Sequence, residues 1–299
     1  VTERTQPSVS SWAGLAWSLR AEADRAKLSA LGQALGTPVV FLKGAWAEPV
    51  LYGNRGLRSG CDLDILVQPE CFAAFAQALV AKGYRRWEFP THPVTWEQAR
   101  EWAFSGPPGH LDVDLHRELL TPPWYRLPTA ALLMRAQFYQ VQGGPSVLSL
   151  APEDQVLFCA GHYASHCYQL PNKHLEDLVR LCQVRSIDWQ RARARAQEAG
   201  LSVALAFLEA ALARREVKGM LPPVQASLGV AWRQRLLAMM VQPGVAGFTR
   251  SRRLPRPWDA LVVNTLASSK STALPKFLGD YLRLRALDHL ARGREVLGV

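Results

Sequence analysis

Residues 58–67, RSGCDLDILV, decide how this chain is read, because Asp62 and Asp64 alternate with Leu63 and Ile65 inside an otherwise apolar run. In a strand, positions i and i+2 point to the same face, so both carboxylates project together while Leu63 and Ile65 turn to a core. Two carboxylates held that close repel unless positive charge sits between them. A divalent cation bound through oxygen is a common solution, so the stretch reads as a metal-binding edge.

Working outward, HLDVDLH at 110–116 has the same period of two: His110, Asp112, Asp114 and His116 alternate with Leu111, Val113 and Leu115. Alone, either stretch is a half-exposed strand with its polar face in water. Together they weigh differently, because acids are poor strand formers and a solvated face seldom carries a row of them. Neighbouring strands presenting one carboxylate cluster are the better account. Between them, residues 70–82 form an amphipathic helix, YRRWEF at 84–89 a strand, and residues 90–109 a surface excursion with a short helical piece around TWEQAREWAF. Upstream, VVFL at 39–42 reads as a short buried strand, Lys43 and Gly44 as a turn, and AWAEPVLYGNRG as a short helix broken by Gly53 and Gly56. Residues 8–35 place Trp12, Leu15, Leu19, Ala23, Ala26 and Ala30 at helical spacing, a helix with a structural role.

Beyond Gly144 nearly everything reads as helix, over 152–169, 173–184, 188–199 and 201–215, so a boundary is placed near residue 150. The fold class is α+β: a mixed sheet with flanking helices in 1–150, then an all-helical, basic region in 151–299. The net charge of +10, with arginine runs at 191–195 and 250–256, favours an anionic partner. RSRRLPRPW combines four arginines with Trp258 and is able to grip RNA, although it reads first as a solvated basic loop. Five cysteines without a CxxC pair, a polar N-terminal stretch and no bilayer-length apolar run predict a reduced, cytoplasmic protein without a membrane span. Cys159, His162 and His166 share a helix face and resemble zinc ligands without a fourth member; a buried polar group is the simpler reading, substrate contact the second.

The acidic strands fit two-metal phosphoryl chemistry, in which carboxylates hold Mg²⁺ or Mn²⁺ against the attacking and leaving oxygens. Asp62 and Asp64 suit the bridging positions, and Asp112 or Asp114 the third. A triphosphate needs a cradle, which Lys43, Gly44 and the following helix N-terminus supply. Arg58 is placed to reach a phosphate.

VVFLKGAW, LYGNRGLRSGCDLDILV and HLDVDLHREL together resemble the bacterial family usually called uncharacterised nucleotidyltransferases, within the DNA polymerase β-like nucleotidyltransferase superfamily. The resemblance spans most of 38–185, including, more weakly, His162, His166 and Glu176-Asp177-Leu178. It implies transfer of NMP from an NTP, ATP first among them, to an acceptor hydroxyl with release of pyrophosphate. It makes Asp62, Asp64 and Asp114 the metal-binding triad, with Asp112 as the alternative third ligand, and gives His116 the task of orienting Asp114 or touching substrate. The wider superfamily has Gly-Ser or Gly-Gly where this chain has Lys43-Gly44. The acceptor, a small molecule, peptide or protein, would be selected by residues 151–299. Two rival readings are a nucleotide- or partner-binding module without turnover, and an RNA-modifying enzyme.

Overall fold

The computed structural model describes residues 9–53, 56–58, 60–87, 100–120, 124–215, 228–244, 247–250 and 258–269. The N-terminal half runs α1 (Val9–Ala34), β1 (Val40–Phe41), α2 (Lys43–Leu51), β2 (Asp62–Leu66), α3 (Phe72–Ala81), β3 (Arg85–Arg86), β4 (Glu101–Ser105) and β5 (Asp112–His116). Its five strands form one mixed sheet in the order β1-β2-β5-β4-β3. β2 and β5 are parallel, and the other pairs are antiparallel. A parallel pair needs a crossover, and α3 lies within it, burying Phe72, Phe75, Ala76 and Leu79 at i, i+3, i+4 and i+7. Leu63, Ile65, Val113 and Leu115 are fully buried beneath the central strands, as the alternation predicts.

Two expectations are corrected. The excursion expected over 90–109 contains a core strand: Glu101–Ser105 pairs with β5, and Trp102 and Phe104 turn inward while Glu101 faces out. A five-residue run of this composition satisfies helix and strand alike, and pairing along β5 decides it; residues 88–99 lie outside the described ones. Helix α1 exists, but its inward face is rotated. Trp17, Ala21 and Leu28 are buried, whereas Trp12 and Leu19 are 59% and 61% exposed.

The reason is that α1 buries polar groups with matched partners. Ser18 Oγ donates to Glu48 Oε1, and Asp24 accepts from the Leu111 backbone N–H and contacts His110 Nδ1 at 2.8 Å. Pro49 has no N–H to give the Ala45 carbonyl one turn earlier in α2. Arg25 supplies the missing donor at 3.3 Å, and its own burial lowers its pKa to about 10. Gly14 and Gly56 let α1 meet the loop before β2 backbone to backbone, since a Cβ on Gly14 would lie 2.2 Å from the Gly56 carbonyl oxygen.

The C-terminal half continues with α4 (Thr129–Arg135), the hairpin β6 (Gln137–Val141) and β7 (Gly144–Ser149), then α5 (Pro152–Ser165), α6 (Lys173–Val184), α7 (Trp189–Ala199), α8 (Ser202–Leu212), α9 (Leu228–Ala238), β8 (Val241–Gly244), β9 (Gly247–Arg250) and α10 (Trp258–Ala267). The helices expected from 152 onward are present, except that the first ends at Ser165, where Cys167 and Tyr168 adopt φ of 52° and 57°. Beyond residue 151 the hairpin β8–β9 interrupts the helices. β7 packs on β1 and α2, and one apolar core runs from Trp17 to Ala267 through both halves.

The arginine run at 191–195 is partly consumed internally: Arg193 pairs with buried Glu209, and Arg195 with buried Asp154, which also holds Arg135. Most of the 250–256 run and the Trp258 side chain lie outside the described residues. Among the described residues no helix is long and apolar enough to cross a membrane.

Candidate functional site

In the β2–β5 ladder Asp62 stands opposite Asp112, and Asp64 opposite Asp114. Partners in a parallel register share a face, so the acidic sets of both strands rise on the same side of the sheet, one strand spacing apart. Carboxylate or ring atoms of Asp64, Asp114 and His116 all lie within 4.8 Å of one another.

Asp64 is the buried centre of this group. Lys43 Nζ donates to its Oδ1 at 2.5 Å, and His116 Nε2 lies 3.1 Å from the same oxygen. Burial opposes its charge, yet Lys43 and His116 hold it well below the usual carboxylate range. His116 therefore turns to Asp64 rather than orienting Asp114. Its Nδ1 lies 3.1 Å from Glu101 Oε2, an ion-pair contact off the line of an ideal hydrogen bond. Burial disfavours the imidazolium, but Asp64 and Glu101 raise its pKa to about 9, while His116 lowers that of Glu101 to about 2.

The other two acids are under-compensated. Burial and the charges of Asp64 and Asp62 push Asp114 up to about 6. Burial and Asp64 likewise raise Asp62, against opposition from Lys43 and Lys173. Lys43 and His116, with Lys173 acting on Asp62, stand against the carboxylates of Asp62, Asp64, Asp114 and Glu101, which leaves negative charge to neutralise, and oxygen donors suit a hard divalent cation. The residues thus fit a hard divalent cation held by carboxylates, with the protonated His116 acting as a brace for Asp64. Asp112 has a different employer: it accepts from the Gly106 N–H at 2.9 Å, tying down the turn that leads into β5.

The predicted phosphate-binding residues are gathered at the same place. Lys43 opens α2 beside Asp64, and Leu42 pairs with β2 through its N–H to the Asp64 carbonyl. Gly44 leaves room for Arg58, whose guanidinium nitrogen would lie 3.3 Å from a Cβ there. Arg58 itself is buried in a two-pronged pair with Asp177 of α6, at 2.8–3.1 Å, and Tyr52 Oη donates to the same carboxylate at 3.0 Å. The loop carrying Arg58 is shaped by Glu48, whose carboxylate accepts from the N–H groups of Gly56 and Arg58, both at 2.6 Å.

Three histidines stand on the helices beyond. His162 and His166 rings lie 4.6 Å apart and His162 and His174 5.4 Å, between the end of α5 and the start of α6. Burial first and then the charge of Lys43 lower the pKa of His162 and His166; for His174, burial, Arg58 and Lys43 bring it to about 3. These rings are neutral neighbours of the acidic strands. The sequence offers His174 with Asp177 as a helix-surface pair or part of the cleft floor, whereas Glu101 was missed as a site residue. Glu101 carried no readable signal once its strand was taken for a helix.

A profile described as "Uncharacterised nucleotidyltransferase" matches residues 17–215, about two thirds of the chain. The chain belongs to this family. No curated protein matches this nucleotidyltransferase significantly by sequence. Among solved structures it is similar to the antibiotic-resistance factor ANT(2'')-Ia, with TM-score 0.40 and 17% identity over 58% of this chain and 89% of that one. It is also similar to the lincosamide antibiotic adenylyltransferase LnuA bound to lincomycin, with TM-score 0.38 and 16% identity over 55% and 98%. A third is an antigenic nucleotidyltransferase-like protein from Paracoccidioides brasiliensis, with TM-score 0.34 and 14% identity over 62% and 92%. Likenesses this weak leave the assignment on the family match.

Proposed function

We propose that this nucleotidyltransferase moves NMP from an NTP, ATP foremost, to a hydroxyl of an acceptor, with Mg²⁺ or Mn²⁺ held by Asp62, Asp64 and Asp114. The observation that carries this is the β2–β5 register, which sets Asp114 beside Asp64 with more carboxylate charge than Lys43 and His116 offset. A divalent cation bound there supplies Lewis-acid polarisation of the phosphoryl oxygens. The chain's own groups do the rest. Glu101 and His116 fix the Asp64 carboxylate, and Lys43 with the first N–H groups of α2 binds the triphosphate. Arg58, clamped by Asp177, sets the wall of the phosphate end. Asp114, beside Asp64 in the ladder, takes the acceptor proton as the new O–P bond forms at the α-phosphate and the bond to pyrophosphate breaks.

The neutral histidines of α5 and α6 belong to the acceptor side in this reading, and residues 151–299 select an acceptor that is a small molecule, peptide or protein. The test is incubation with mixed NTPs, Mg²⁺ and a lysate of the source cell, reading pyrophosphate release and new nucleotidylated species by mass spectrometry. The double variant Asp62→Ala, Asp64→Ala is expected to lose both signals while keeping its circular dichroism spectrum. Full turnover in that variant defeats the reading, and NTP binding without release in the parent chain favours a binding module instead.

A further inference from the structure

Lys43 holds a backbone conformation that its side chain makes unfavourable. Its φ is 45°, in the left-handed region where a Cβ crowds the carbonyl and glycine alone is at ease. Such outliers persist where the surroundings over-determine them, and often where a function uses them. The consequence here is positional. From the mouth of α2 the side chain returns to the sheet and sets its ammonium on Asp64 Oδ1, the oxygen that His116 also contacts. Asp64 is also one of the three residues, with Asp114 and His116, whose candidate ligand atoms lie within 4.8 Å of one another.

A lysine ammonium and a divalent cation cannot both keep this oxygen without strong like-charge repulsion at contact distance. A triphosphate held at the first N–H groups of α2 would lie beside the Lys43 backbone and offer the ammonium another anionic partner. We propose that Lys43 couples the two ligands: its ammonium competes with the divalent cation for Asp64 and transfers to the triphosphate, so each ligand clears the way for the other. This rests on the carboxylate reading given above and adds an order to it. The cation alone binds weakly, and the triphosphate relieves the competition.

The experiment uses the full chain and its variants Lys43→Met and Lys43→Gly, of which the second also removes the left-handed strain. Mn²⁺ alone is titrated by paramagnetic resonance, and tripolyphosphate alone, in chelator, by calorimetry. Both variants are expected to bind Mn²⁺ more tightly than the parent, by about 5- to 150-fold if the coupling is of ordinary allosteric size, and to bind tripolyphosphate more weakly. A gain in affinity cannot come from a protein that failed to fold. Mn²⁺ affinity unchanged or weakened in both variants overturns the inference, as does unchanged tripolyphosphate affinity. Mn²⁺ binding to none of the three proteins overturns the metal reading itself, and the inference with it.

Discussion

Two regions of the chain hold buried or half-buried carboxylates and treat them in opposite ways. In the helical half and at its junction with the sheet, every acid in question has a matched cation: Asp154 has Arg135 and Arg195, Glu209 has Arg193, and Asp177 has Arg58 with Tyr52. On the β2–β5 face, Asp62, Asp64 and Asp114 share Lys43 and His116, with Lys173 acting on Asp62; burial raises the pKa of Asp177 and Glu209 against their arginines, whereas Asp62 and Asp114 are raised by burial and then by the neighbouring carboxylates. Matched acids cross-link helices; under-matched acids are a demand for an external cation. Burial alone does not separate structural from functional carboxylates, and the local sum of charge does.

The largest expected effect tests the matched class. Arg58→Met leaves Asp177 buried without its guanidinium, and breaking one side of a buried pair costs about 3–5 kcal/mol. Thermal or urea unfolding is expected to show that loss. Arg58→Met paired with Asp177→Leu should recover much of it, since the uncompensated charge then disappears. A loss under about 1 kcal/mol in the single variant would show that the junction does not depend on this pair.

The brace on Asp64 is next in size. His116 has its pKa raised to about 9, so it binds a proton in the folded chain where the unfolded chain, at about 6.5, releases it. Its contribution is complete below pH 6.5 and is lost as pH rises through 9. We expect stability to fall by about 2 kcal/mol between those values, a discounted reading of the shift because Asp64 and Glu101 share it. The slope should flatten in His116→Gln, and urea midpoints across that range measure it.

How much of this was legible beforehand follows from the range of each interaction. The period-two acids of β2 and β5 and the apolar face of α3 are local patterns, so they could be read residue by residue. The pairing of Asp64 with Asp114 needed the assumption that the strands are neighbours; the resemblance favoured Asp114 over Asp112, and the bond from Asp112 to the Gly106 turn could not be read from the sequence. Strand β4 was hidden because its neighbour, not its composition, makes it a strand. The inward face of α1 was hidden for a related reason: Ser18, Asp24 and Arg25 are buried by partners 20 to 87 residues away, and hydrophobicity counts cannot see partners. Arg58 was legible as a cation near the acids, but its clamp by Asp177, 119 residues on, was not.

The smallest expected effects have opposite signs and separate the two candidates for the third carboxylate. Asp114 has its pKa raised to about 6, so between about pH 4 and 6 the folded chain holds a proton that the unfolded chain gives up. Stability therefore falls as pH rises through that window, and at pH 7 the ionised group is a liability. In chelator, Asp114→Asn should stabilise the fold by about 1 kcal/mol, the shift being discounted for partial solvent access, while nucleotidyl transfer is lost. Asp112→Asn keeps an oxygen for the Gly106 N–H but removes the charge that strengthens that bond, and should destabilise by up to about 1 kcal/mol, with turnover within about twofold of the parent. Stabilisation with lost activity marks an acid retained for its chemistry, and destabilisation with kept activity marks one retained for its turn. If the two variants exchange behaviours, Asp112 is the third ligand, and the under-matched set on this face has to be redrawn around Asp62.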